Sequence, residues 1–92
     1  MPNHKSAIKR MRQNEKRRAR NRHYKSRVKH SIRAVRDAIE AGTFDSIEEV
    51  LRHAISEIAH ASSKGVIPTK RASRKISRLT LAVNRARKEA NA

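Results

Sequence analysis

The chain has 92 residues, with 24 Lys or Arg against 8 Asp or Glu, a formal net charge of +16, no cysteine and no tryptophan. This excludes disulfide frameworks, zinc fingers and thiol catalysis; one Tyr and one Phe argue against sheet modules that stack nucleobases on aromatic rings. No stretch approaches the roughly 18 apolar residues of a membrane span, and no apolar run follows the basic start as a secretory signal requires.

The charge is laid down in blocks. Residues 5–36 carry fourteen bases and one acid, Glu15; residues 37–60 carry six acids and one base, Arg52; residues 61–92 carry nine bases and one acid. The block charges are +13, −5 and +8. Solubility needs only a mixed surface of modest net charge, so an end carrying +13 points to a polyanion, of which nucleic acid is the commonest in a cell.

The first element runs over about 5–41, a glycine-free stretch that ends at Gly42. Val28, Ile32, Val35 and Ile39 step four, three, four along one helical face. Run backwards, the same face holds Tyr24, Asn21, Arg17, Asn14 and Arg10, so the spacing continues while aliphatic chemistry gives way to Arg and Asn. Phe44, in the following loop, is placed to plug the end of a bundle. The second element covers about 46–63. Ser46 and Glu49 have the spacing of a capping box, and Ile47, Val50, Leu51, Ala54, Ile55 and Ile58 form its apolar face. Its acids are expected on an outward face, where some pair with bases of neighbouring helices. The third element covers about 69–88, after Gly65 and Pro68, with Thr69 as N-cap and Ala72, Ile76, Leu79, Val83 and Ala86 as its stripe.

Three amphipathic stripes joined by short loops predict an all-α fold: an antiparallel three-helix bundle with a long N-terminal helix projecting beyond it. Length agrees with periodicity. At about 1.5 Å per residue the first helix reaches roughly 55 Å and the second only about 25 Å. Residues 1–25 therefore form a basic helical arm and residues 26–92 the bundle. Lys5, Lys9, Arg10, Arg12, Lys16, Arg17, Arg18, Arg20, Arg22 and Lys25 surround the arm, densest along Lys5, Lys9, Arg12, Lys16 and Arg20. A fully polar helix with no protein partner is expected to fray when free and to order when phosphates neutralise it. Bases on every side suit folded RNA, which offers phosphates from several directions. Arg71, Arg74, Lys75 and Arg78 join the candidate site because they follow a helix start beside the arm's root. His4, Asn14 and Asn21 are its candidate polar contacts, and Tyr24 is placed either to stack on a base or to cap the core.

No carboxylate or cysteine completes a ligand set of distinctive spacing with the five histidines, so no metal and no cofactor are expected. Nor is an enzyme: there is no phosphate-binding glycine loop, and the adjacent carboxylates Glu48 and Glu49 read as a helix start. The same charge allows one alternative, a basic DNA-binding architectural protein. A membrane-surface module is disfavoured because the arm has no Trp, Phe or Leu on an apolar face.

The opening Met1-Pro2-Asn3-His4-Lys5-Ser6-Ala7-Ile8-Lys9-Arg10, then Asn14-Glu15-Lys16-Arg17-Arg18 and Asn21, resembles the bacterial small-subunit ribosomal protein S20 family. Lys64-Gly65-Val66-Ile67-Pro68, Ala72-Ser73-Arg74-Lys75 and Ser77-Arg78-Leu79 extend the resemblance over almost the whole chain. It implies a structural constituent of the cytoplasmic small ribosomal subunit, monomeric there, with no membrane and no small-molecule substrate. It also implies direct binding to small-subunit (16S) ribosomal RNA, at the 5′ domain and the long stem of the 3′ minor domain, and adds Asn3 to the RNA-binding residues. The chain departs from the family pattern at Lys70 and Arg71, where Asn and a small residue are common, and at Ile76, where Lys is common. Ile76 therefore belongs to the core stripe.

Overall fold

The computed structural model describes residues 3–91, with side chains from Lys5 to Asn91. Three helices follow in order: α1 (Asn3–Ala41), α2 (Ile47–Ser63) and α3 (Thr69–Ala90). α2 packs back along the C-terminal half of α1, and α3 lies against both, more closely on α2 than on α1. The molecule is long and thin, 72 × 22 × 15 Å, because α1 continues past the bundle. Every described side chain from Lys5 to Arg20 is exposed; Asn21 is the first to be half-buried.

Both turns are set by a glycine just past a helix. Gly42 and Gly65 have φ of 69° and 76°, the left-handed region that side chains with a Cβ avoid. At the first turn Gly42 N–H donates to Ile39 O (3.2 Å) and Thr43 N–H to Ala38 O (3.1 Å). At the second Gly65 N–H donates to Ser62 O and Val66 N–H to Ala61 O, each at 3.0 Å. These paired bonds satisfy carbonyls that the helix ends leave open. A Cβ at Gly65 would meet nothing within 4 Å, so only backbone strain opposes a side chain there. Gly65→Ala is expected to lower stability by about 1 kcal/mol. Urea unfolding should show the midpoint fall with an unchanged slope, and Gly65→Asn should lose less.

The core is one cluster: Val28, Val35 and Ala38 from α1; Ile47, Ala54, Ile58 and Ala61 from α2; Ile67 from the second loop; and Ala72, Leu79 and Val83 from α3. The α1 face is narrower than its aliphatic spacing suggests. Val28, Ser31, Val35 and Ala38 are buried, whereas Ile32 and Ile39 are half-buried flanks. The Ser31 hydroxyl donates to Val28 O at 2.8 Å, which removes the cost of burying it. Phe44 and Ile76 are half-buried against the cluster, as the patterning predicts.

Three local expectations are corrected. The capping box does not form: Ser46 occupies the N-cap position of α2 but makes no side-chain cap bond, its ψ of 0° lying outside the extended region a capping serine needs. Thr69 is not the cap of α3 but its first residue, and Pro68 precedes it with φ −58° and ψ 143°. Its neighbour Ile67 is buried, as is Ala72, the arrangement of a hydrophobic staple, which fixes the entry of α3 without a side-chain hydrogen bond. Not every acid of α2 faces outward. Glu57 is buried at 8 % exposure and accepts a 2.8 Å hydrogen bond from Arg27 Nη2 of α1. Glu48 pairs with Arg87 of α3 at 3.0 Å and ties the start of α2 to the end of α3.

Candidate nucleic-acid interface

The arm is an uninterrupted helix because Arg, Lys, Ala, Gln and Met favour that state and no Gly or Pro occurs between Asn3 and Ala41. It has no apolar face to bury: Ile8 and Met11 stand 47 % and 63 % exposed among the bases. Its first turn also lacks an acid to balance the positive end of the helix dipole, and Lys5 stands there instead. Backbone and side chains thus present one sign of charge. Of the expected site residues, Lys5, Lys9, Arg10, Arg12, Asn14, Lys16, Arg17, Arg18 and Arg20 all stand exposed on this arm. The side chains of Asn3 and His4 lie outside the described residues.

The arm is anchored at Asn21–Lys25. Tyr24 is half-buried against the core and tilts on His60 of α2, with ring centroids 5.3 Å apart, so its ring is engaged with the bundle. Asn21 is half-buried and its Oδ1 is shut from solvent without a hydrogen-bond partner. Arg22 and Lys25 are exposed on either side of this anchor.

Beyond the anchor an open groove of about 620 Å³ lies between α1 and α3. Lys25, Lys29, Arg33 and Arg36 wall it on α1, and Arg71 and Lys75 on α3. Val28, Ile32 and Ile67 form its apolar floor, and Asp37 and Glu40 lie at one end. Lys25, Arg71 and Lys75, expected to lie near one another because the second turn is opposite the arm's root, come together here. Arg74 and Arg78 are exposed but do not line the groove. Among the described residues none of the six bases is ion-paired.

Lys29, Arg33 and Arg36 are absent from the site residues that the sequence alone suggests, though a signal for them exists. From Lys25 they step four, four and three, a basic stripe beside the apolar seam. On most soluble helices such a stripe is only the solvated flank of the core.

The opposite side of α1 is different. A polar notch there is lined by His23, Ser26, Arg27, His30, Ser31, His53 and Glu57. Its charge is largely internal: Glu57 holds Arg27 at 2.8 Å and lies 3.8 Å from His53 Nε2. Among the described residues no three His, Asp or Glu side chains are placed to share a metal ion, and no helix is long and apolar enough to cross a membrane. The bundle thus has one side of unpaired bases continuous with the arm and one side where charge is spent on holding α1 to α2.

Comparison with known proteins places this architecture. A family model described as Ribosomal protein S20 matches residues 2–84. The small ribosomal subunit protein bS20 of Desulfotalea psychrophila is 55 % identical over 84 residues, covering 91 % of this chain and 94 % of that protein. The bS20 proteins of Trichlorobacter lovleyi and Nitratidesulfovibrio vulgaris are 51 % and 52 % identical, over 91 % and 90 % of this chain and 97 % and 95 % of their own lengths. With a bundle, a projecting basic helix and near full-length similarity in agreement, the chain belongs to the ribosomal protein S20 family.

Proposed function

We propose that this protein is a structural, non-catalytic constituent of the small ribosomal subunit in the cytoplasm, present as a single copy and bound directly to 16S ribosomal RNA. Its contacts are with the 5′ domain and the long stem of the 3′ minor domain, as the family resemblance implies. The observation that carries the reading is the arm: from Lys5 to Arg20 eight bases and one acid stand exposed on the part of α1 that runs past the bundle. Such an element has no folding role, and its energy is recovered only when phosphates surround it. The bundle supplies a rigid base, the arm threads between RNA helices, and neutralising their phosphates lets those helices approach. Ordering of the arm and packing of the RNA are then one coupled step of assembly.

Salt separates this from a DNA-compacting role. Binding that neutralises six to ten phosphates loses about 10³–10⁵ in affinity between ~50 and ~200 mM salt. Full-length protein should lose that much on mixed-sequence duplex DNA. On small-subunit rRNA, contacts fixed by shape persist, so the preference for rRNA should widen as salt rises. Equal affinities falling in parallel on the two nucleic acids would favour the DNA reading.

A further inference from the structure

We propose that the groove between α1 and α3 is a second RNA site, distinct from the arm, which takes a single-stranded segment with its phosphates on the basic walls and a nucleotide laid on the apolar floor. The proposal rests on the rRNA-binding reading and adds a mode of recognition to it.

Three features of the groove define its occupant. The first is the walls. Lys29, Arg33 and Arg36 repeat at about one helical turn, roughly 4.5–6 Å along α1, which is comparable to the separation of successive phosphates along a strand. Arg71 and Lys75 face them from α3 one turn apart. Bases that pair with no described acid keep their full charge for a ligand, unlike Arg27 and Arg87, which are already held by Glu57 and Glu48.

The second is the floor. A duplex presents phosphates and needs no apolar surface beneath them. Half-buried Ile32, backed by the buried Val28 and Ile67, offers a surface of the kind that the face of an unstacked base or a ribose covers. Single-stranded loops and bulges are where proteins reach RNA bases, because A-form duplexes hide them in a deep, narrow groove. The groove's volume of about 620 Å³ falls inside the roughly 300–1,000 Å³ typical of pockets for small organic ligands, which a nucleotide resembles in size.

The third is the closed end. Asp37 and Glu40 repel phosphate, so the basic track stops there. Carboxylates accept hydrogen bonds from exocyclic amino groups and from the ribose 2′-hydroxyl, so this end favours a base edge or sugar over another phosphate. The phosphate track therefore runs from Lys25 to Arg36 beside the apolar floor and ends at Asp37 and Glu40.

Two measurements on the full chain test this. In the first, methyl-labelled protein is titrated with a single-stranded octauridylate and, separately, with inorganic polyphosphate. The methyl signals of Ile32 and Ile67 should shift with the oligonucleotide and stay in place with polyphosphate. In the second, Arg33→Ala with Arg36→Ala is measured on small-subunit rRNA; both side chains are exposed, so the fold should persist by circular dichroism. Two lost phosphate contacts should lower the salt slope by about 1.5 and the affinity about thirtyfold at ~0.1 M salt. Full-strength rRNA binding by the double variant, or floor methyls that move equally with polyphosphate, would overturn the groove and leave the arm reading intact. Loss of any preference of the wild-type chain for rRNA would instead overturn the underlying function.

Discussion

Removing residues 2–20 should leave a bundle that is folded, as stable as the parent, and about a thousandfold weaker on small-subunit rRNA. The cut falls before Asn21 because that residue and Tyr24 pack on the bundle, whereas every described side chain from Lys5 to Arg20 is exposed. The magnitude comes from the phosphates. Eight bases lie in the deleted stretch, and if half of them each meet one phosphate, the salt slope falls by about 3–4. Each such contact is worth roughly 0.7–0.9 in log K at ~0.1 M salt, so four give about three decades. Affinity at several salt concentrations gives both quantities, and a thermal melt by circular dichroism checks the fold. A truncated chain that binds like the whole one would remove the arm from the mechanism. A drop in affinity with no change in slope would assign the loss to something other than phosphate contacts.

The arm's exposure also governs its state before it binds. With one acid among eight bases and no protein surface beside it, the helix from Lys5 to Arg20 is supported only by backbone propensity, against repulsion between like charges one turn apart. Its helical state and its RNA are therefore thermodynamically linked, and part of the binding energy is spent on ordering it.

The fold was largely legible in the sequence because its determinants are local. Gly42 and Gly65 mark helix ends wherever the helices pack, and steps of three and four identify a face without any partner. Less was legible where one residue's meaning depends on its neighbour. Glu57 reads as one more acid of an acidic helix, indistinguishable by type from Glu48 and Glu49. It is inside because it lies between Ala54, Ile58 and Ala61 on the face that meets α1, within reach of Arg27. The caps failed for a similar reason, since Ser46 and Thr69 have the right chemistry but loop dihedrals decide whether a hydroxyl reaches an N–H. The arm was legible because a long helix outrunning its partners is a matter of counting. The groove was not. Lys29, Arg33 and Arg36 gain their common purpose only because α3 places Arg71 and Lys75 opposite them.

The charged groups divide accordingly into two sets. Arg27–Glu57 and Arg87–Glu48 join helices to each other, and the acids among them sit on α2, which carries three of the six acids of the negative block. The arm and groove bases have no such partners among the described residues. An acidic middle helix thus supports the fold internally and keeps phosphate on the α1–α3 side, where attraction is not offset.

Stability should prove separable from binding, and Ile58→Ala is the sharpest test. Ile58 is at 0 % exposure near the middle of α2, within the cluster that all three helices share. Truncating a fully buried isoleucine costs about 2–5 kcal/mol, the larger part of that range applying where neighbours cannot collapse into the gap. A bundle of roughly seventy residues has in total only about 4–10 kcal/mol of stability. The variant should therefore lie close to its unfolding midpoint at room temperature. Leu81→Ala removes a side chain of similar size from the outer face of α3, where it is 59 % exposed, and should cost no more than about 0.5 kcal/mol. Urea unfolding of the pair decides the point, and comparable losses would mean that the core is not where the structure places it. Because Ile58 lies in the core and lines neither the arm nor the groove, its loss acts only on the folding equilibrium. RNA binds the folded state, so free rRNA at about a hundred times the dissociation constant returns roughly 2.7 kcal/mol. Ile58→Ala should therefore be about half unfolded alone yet folded on its RNA. Its apparent affinity should be reduced by the folded fraction and its salt slope unchanged, whereas the arm deletion lowers the slope and leaves folding alone.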